Sequence, residues 1–134
     1  MTLILQVNER KLLPGEKKWR LKILGIIRID DTRKEFIFGR NEQTKEFLAN
    51  IYAYPFLKEN QGVFSGSGKH YTFLDTSHGE ISLRTQLSFW IFHFGVGETG
   101  FERGRAMEIK VGDTFVSKNK TKRIELVLEV IRMY

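Results

Sequence analysis

The sequence predicts an all-β protein, an antiparallel sandwich interrupted by one short helix. Apolar and polar residues alternate with period two along several runs, turn-forming residues punctuate those runs, and only one segment shows helical spacing. With 134 residues, 41% hydrophobic and 28% charged, the chain has the size and balance of one globular domain over 1–134.

Taken in order, "WRLKILGIIRI" (19–29) sets Trp19, Leu21 and Ile23 against Arg20 and Lys22, and "KEFIFGR" (34–40) alternates Phe36 and Phe38. Both are expected as half-buried strands, with "LPGEKK" and "RIDDTRK" as the turns around them. The segment "NEQTKEFLANIYAY" (41–54) is the exception. Asn41 is a good helix cap, Phe47, Leu48 and Ile51 fall on one helical face, and Tyr54-Pro55 stops the helix, because the residue before proline is pushed out of helical geometry. The glycine- and serine-rich "ENQGVFSGSGKH" (59–70) is expected to be a mobile loop. In "QLSFWIFHF" (86–94) both faces are apolar or aromatic, the pattern of a strand covered on both sides or facing a partner. Finally, "KRIELVLEVIRMY" (122–134) places Ile124, Leu126, Leu128 and Val130 opposite Glu125 and Glu129, the clearest strand in the chain.

Composition narrows the function. The absence of cysteine excludes a disulfide scaffold, a zinc ribbon and thiol chemistry. "MTLILQV" is too short for a signal peptide, and no apolar run approaches the roughly 20 residues of a membrane helix, so a cytoplasmic or nuclear protein without a membrane partner is expected. A net charge of +6 favours phosphate-bearing partners. The basic residues are spread over "ERKLLPGEKKWRLK", "FERGR" and "KNKTKR", and the last reads as a solvated turn.

Catalytic motifs fail on spacing. "GVFSGSGKH" superficially resembles a phosphate loop, but five residues separate Gly62 from Gly68 and His70 stands where a hydroxyl is needed. His70, His78 and His93 lack carboxylates at metal-ligand spacing, so no metal or cofactor is expected; His93 reads as a core residue. Ser77, His78 and Asp75 lie too close in sequence for their side chains to converge as a triad. A non-enzymatic protein is the expectation.

The remaining landmarks are ordered. "FIFGR" ends a strand at Gly39-Arg40, "DTSHGEISL" places His78 before a strand, "FHFGVGETGF" follows an aromatic strand, and "MEIKVGDTF" leads into Gly112-Asp113. This order resembles the forkhead-associated (FHA) domain, in which a Gly-Arg strand end, a Ser-Arg-x-His-x-x-Ile segment, an Asn-Gly-Thr-Phe-like turn and a Gly-Asp follow one another. The resemblance covers roughly Trp19 to Ile131. It implies an FHA-like β-sandwich acting as a phosphothreonine-peptide or acidic-segment binding module. Arg40 would grip the phosphate by a charge-assisted hydrogen bond, with Asn41 beside it; His78 would pin the loop, and Thr99-Gly100 would hold the peptide backbone. Gly39, Gly100, Gly112 and Asp113 would be structural.

Two registers supply the family's Ser-Arg pair. In one, Asp75 and Thr76 take those positions, where Asp75 repels phosphate and Thr76 and Ser77 are the donors. In the other, "SGKH" supplies Ser67 and Lys69. "DTSHGEISL" is also similar to the Asp-x-Ser-x-Gly-Gly turn of PilZ β-barrels, which bind cyclic dinucleotides. A basic barrel of OB or PUA type, stacking bases on Trp90 or Phe94, is a third reading, with nucleic acid as the partner.

Overall fold

The computed structural model of the protein describes residues 1–85 and 97–134. Among these the strands are β1 (Leu3–Lys11), β2 (Arg20–Ile29), β3 (Glu35–Phe38), β4 (Gly62–Ser67), β5 (His70–Asp75), β6 (Ile81–Thr85), β7 (Gly97–Gly100), β8 (Met107–Glu108), β9 (Thr114–Lys118) and β10 (Ile124–Met133). They form two antiparallel sheets, one ordered β2-β1-β10-β9-β6-β7 and the other β3-β4-β5-β8. Among the described residues the two sheets keep open edges, so a sandwich replaces the barrel alternatives.

Period-two alternation builds the core. Leu3, Leu5 and Val7 of β1 and Leu126, Leu128 and Val130 of β10 point inward and are buried, as do Phe36 and Phe38 of β3. The sheets are joined by an aromatic cluster in which the Phe73 ring centroid lies 4.8 Å from Phe64 and 4.6 Å from Phe115. Burying each such ring contributes on the order of 1.5–3 kcal/mol.

Three sequence expectations need correction. The helix shrinks to α1 (Glu42–Lys45), followed by a 3-10 turn over Ile51–Ala53. Leu48 and Ile51 are buried as expected, but the side chain of Leu48 lies close against Gly25, so packing on β2 outweighs continuation of the helix. The expected mobile glycine loop is strand β4 and the start of β5, paired from Gly62↔Asp75 to Ser67↔His70, with Gly68 at φ +61 in the turn. The first half of β2 is not half-buried, because Leu21 and Ile23 are among the most exposed large apolar residues described. The expected strand 86–94, with Trp90, His93 and Phe94, lies outside the described residues. No described helix is long and apolar enough to cross a membrane.

Candidate functional site

The chain leaves β3 through Gly39, and no other residue fits there: a methyl group on it would stand 2.1 Å from the Glu59 carbonyl oxygen. This close approach brings Lys58–Gln61 alongside, with Arg40 N–H donating to the Lys58 carbonyl (2.9 Å) and Gln61 N–H to the Phe38 carbonyl (2.7 Å). The short helix then locks the corner. Asn41 Oδ1 accepts from the Thr44 N–H at 2.8 Å, while Asn41 Nδ2 donates to the carbonyls of Ile37 and Glu59 at 3.2 and 2.7 Å. The buried Thr44 hydroxyl accepts from Gly39 N–H at 3.1 Å. Asn41 is therefore engaged at every polar atom of its side chain, whereas the Arg40 guanidinium has no hydrogen-bond or ion-pair partner among the described residues.

The second wall is the turn from β5 to β6. Asp75 Oδ1 accepts from both the N–H and the hydroxyl of Ser77 (2.8 and 2.5 Å), and its Oδ2 accepts from Gly79 N–H at 3.1 Å. The buried Ser77 hydroxyl in turn accepts from Glu80 N–H at 2.9 Å. His78 and Gly79 adopt left-handed φ of 60° and 92°, and the His78 side chain is exposed. Asp75 and Ser77 thus hold this turn and His78 does not, so neither a catalytic triad nor a histidine strut exists here.

The strut is Gln61. It is 1% exposed, its Oε1 accepts from Lys58 N–H (3.1 Å), and its Nε2 donates to the Glu80 carbonyl and to Ser117 Oγ (both 3.1 Å). Lys58 Nζ donates to the Ser77 carbonyl at 2.7 Å, and the Thr76 hydroxyl donates to the Asn60 carbonyl at 3.0 Å. These bonds knit the segment after the helix to the β5–β6 turn.

Between the two walls and the β9–β10 turn lies an open groove of about 860 Å³. Among the described residues its lining carries Arg40, Lys58, Lys118, Lys120 and Lys122 against Glu80 and Glu98. Glu98 is neutralised, with Arg84 at 2.8 Å and Lys118 at 2.9 Å. Burial alone would raise its carboxyl, but the bonds from Lys118 and Arg84 outweigh that and hold it below the ordinary carboxylate value. Arg84 also pairs with the buried Glu125 at 2.8 Å. The groove is therefore an anion-attracting surface whose rim carries an arginine with no partner among the described residues.

The other expected ligand residues do not reach it. Register places Phe38 opposite Gly62 and Glu35 opposite Ser65, so Ser67 and Lys69 sit at the far end of β4 from Arg40. Six strand residues separate the two ends by roughly 20 Å. Arg40, Ser67 and Thr99 therefore do not converge on one end of the sandwich. Thr99 is exposed on β7 opposite Leu83 and borders a different concavity, of about 460 Å³, with Phe101 and Met107; among the described residues Gly100 alone borders both. Gly112, at φ +94, and Asp113, whose Oδ2 accepts from Lys110 N–H at 2.8 Å, shape the turn before β9. Lys58, Gln61, Lys120 and Lys122 were missed; the visible signal was the "KNKTKR" run, read as a plain turn. Among the described residues no cluster of His, Asp or Glu is placed to hold a metal.

No family model and no curated protein matches the sequence. Solved structures do resemble the fold. An engineered FHA with a Myc-pTBD peptide superposes with a TM-score of 0.57 at 12% identity, covering 97% of this chain and 92% of that one. The N-terminal FHA domain of Rad53p from S. cerevisiae, in complex with a phosphothreonine peptide, gives 0.48 at 16% identity over 92% of this chain and 93% of that one. The first likeness spans nearly the whole of both chains, and the fold is of the FHA type.

Proposed function

We propose that the chain, over 1–134, is a non-catalytic module that binds a phosphorylated protein segment of phosphothreonine type. The observation that carries the reading is Arg40, held by Gly39 and the Asn41 cap at the rim of a basic groove and left without a partner among the described residues. Its guanidinium offers a bidentate, charge-assisted grip on a phosphate. Lys58, fixed at the same rim, adds charge, and Lys120 and Lys122 extend the attraction along the groove to acidic residues that flank the phosphate. Asp75 is turned into the β5–β6 turn, where both its oxygens accept hydrogen bonds, and does not line the groove. The FHA-type fold supports the same ligand class by resemblance.

A phosphothreonine peptide library, its unphosphorylated counterpart and single-stranded DNA, each titrated against the wild type and Arg40→Ala, test the reading. Phosphate-dependent peptide binding that Arg40→Ala removes is the expected result. Salt-sensitive binding of the nucleic acid that ignores Arg40 would replace the reading with a nucleic-acid one.

A further inference from the structure

The groove leaves one surface unexplained. β2 is an edge strand of the six-stranded sheet, ten residues long, and the described backbone contacts pair it only with β1. Register sets Leu21 opposite Arg10, Ile23 opposite Asn8 and Ile26 opposite Gln6, so all three apolar residues share one face. Ile23 and Ile26 do so although three positions apart, because the register shift between Val7 and Asn8 inserts an extra residue at Leu24. Their exposures are 64%, 62% and 44%, unusual for aliphatic side chains on a regular strand. None of them lines the groove.

Exposed apolar edges invite strand addition, and proteins restrict it with charge and bulges. Here the charge has one sign. β2 carries Arg20, Lys22 and Arg28 and no acid. The hairpin before it adds Lys11, Lys17 and Lys18. Glu16 pairs with Arg20 at 2.6 Å and Asp30 more loosely with Arg28 at 4.0 Å, while Lys22 has no ion-pair partner among the described residues. A second copy of β2 laid along this edge would bring like charges together, which is unfavourable across paired strands. An extended segment that alternates apolar and acidic residues matches both the apolar stripe and the cations.

We infer that the β2 edge is a second binding site, independent of the Arg40 groove, that takes an extended, alternating apolar and acidic protein segment as an added strand. The test uses the full chain with two capped octapeptides, alternating valine–glutamate and alternating valine–lysine. The glutamate peptide binds at least tenfold more tightly and slows hydrogen exchange of outward-facing β2 amides. The surface double variant L21E/I23E and the single variant K22E each weaken it at least fivefold, while Arg40→Ala leaves it unchanged. Equal binding of both peptides, or none, overturns the inference. So does binding that Arg40→Ala abolishes, since the acidic peptide then occupies the groove. Sedimentation that reveals a dimer broken by L21E/I23E overturns it in favour of a second copy, and capture by phosphatidylserine vesicles lost in the same variant overturns it in favour of a membrane surface.

Discussion

The two ends of the four-stranded sheet are nearly matched in composition and opposite in construction. Both are rich in glycine, serine or lysine, yet at the Arg40 end backbone and side chains interlock through Gly39, Gln61, Asp75 and Ser77, whereas the Ser67–Lys69 end is a tight hairpin turn. A binding residue needs neighbours that hold it and leave its functional group free, and only the first end supplies them. Lys69 is as basic as Arg40 but stands on an exposed turn, and the concavity of about 240 Å³ at that end is lined by Gly66 and Gly68 but not by Lys69.

Substitutions at the two ends sharpen this contrast. Gly39→Ala is expected to show the largest loss of stability, at or above the top of the roughly 1–3 kcal/mol typical of overpacking, because the new methyl meets backbone that has nowhere to move. Gly68→Ala has open space around it and meets only the left-handed backbone, costing about 1 kcal/mol. Denaturant unfolding of the pair measures the difference, and equal losses would break the comparison.

Next in size is Gln61→Leu. It keeps the volume but strands the Lys58 N–H and the Glu80 carbonyl, for an expected loss of roughly 1–3 kcal/mol. Phosphopeptide affinity should fall with it although Arg40 is intact, a readout that calorimetric titration supplies.

The smallest effect concerns acid. Glu98 has its carboxyl lowered in the folded state, so its contribution is present above the unfolded-state value and is lost as pH falls through the lowered folded value. The melting temperature of the wild type should therefore drop on acidification below the ordinary carboxylate range, and Glu98→Gln should start lower and flatten that slope. An unchanged slope in the variant would remove Glu98 from the groove's electrostatics.

Much of the sandwich was legible in the sequence. β10 is visible because Ile124, Leu126, Leu128 and Val130 recur at every second position with Glu125 and Glu129 on the opposite face, and the core-facing Phe36 and Phe38 are equally regular. Gly39-Arg40 stands out in the sequence through the landmark order that resembles an FHA domain, and the close backbone approach at Gly39 is what the structure adds. What failed was information that depends on which segments meet. Period-two alternation cannot say whether a second layer lies over it, so β2 read as half-buried when its outer apolar row faces solvent. Loop composition in 59–70 hid a six-residue strand, because Gly62 and Gly66 are tolerated where Phe73 and Tyr71 pack across them. The FHA resemblance puts the strut at His78, but the buried, three-way bonded residue is Gln61, whose role depends on meeting Glu80 and Ser117 far along the chain.

The central claim is that the anion site is at the Arg40 end and not at the hairpin end. Parallel titration of one phosphothreonine peptide against the wild type, Arg40→Ala and Lys69→Ala tests it most directly. Loss of a charge-assisted phosphate contact is expected to weaken binding about 10- to 100-fold in Arg40→Ala, with Lys69→Ala indistinguishable from the wild type. Full affinity in Arg40→Ala, or a comparable loss in Lys69→Ala, would contradict it.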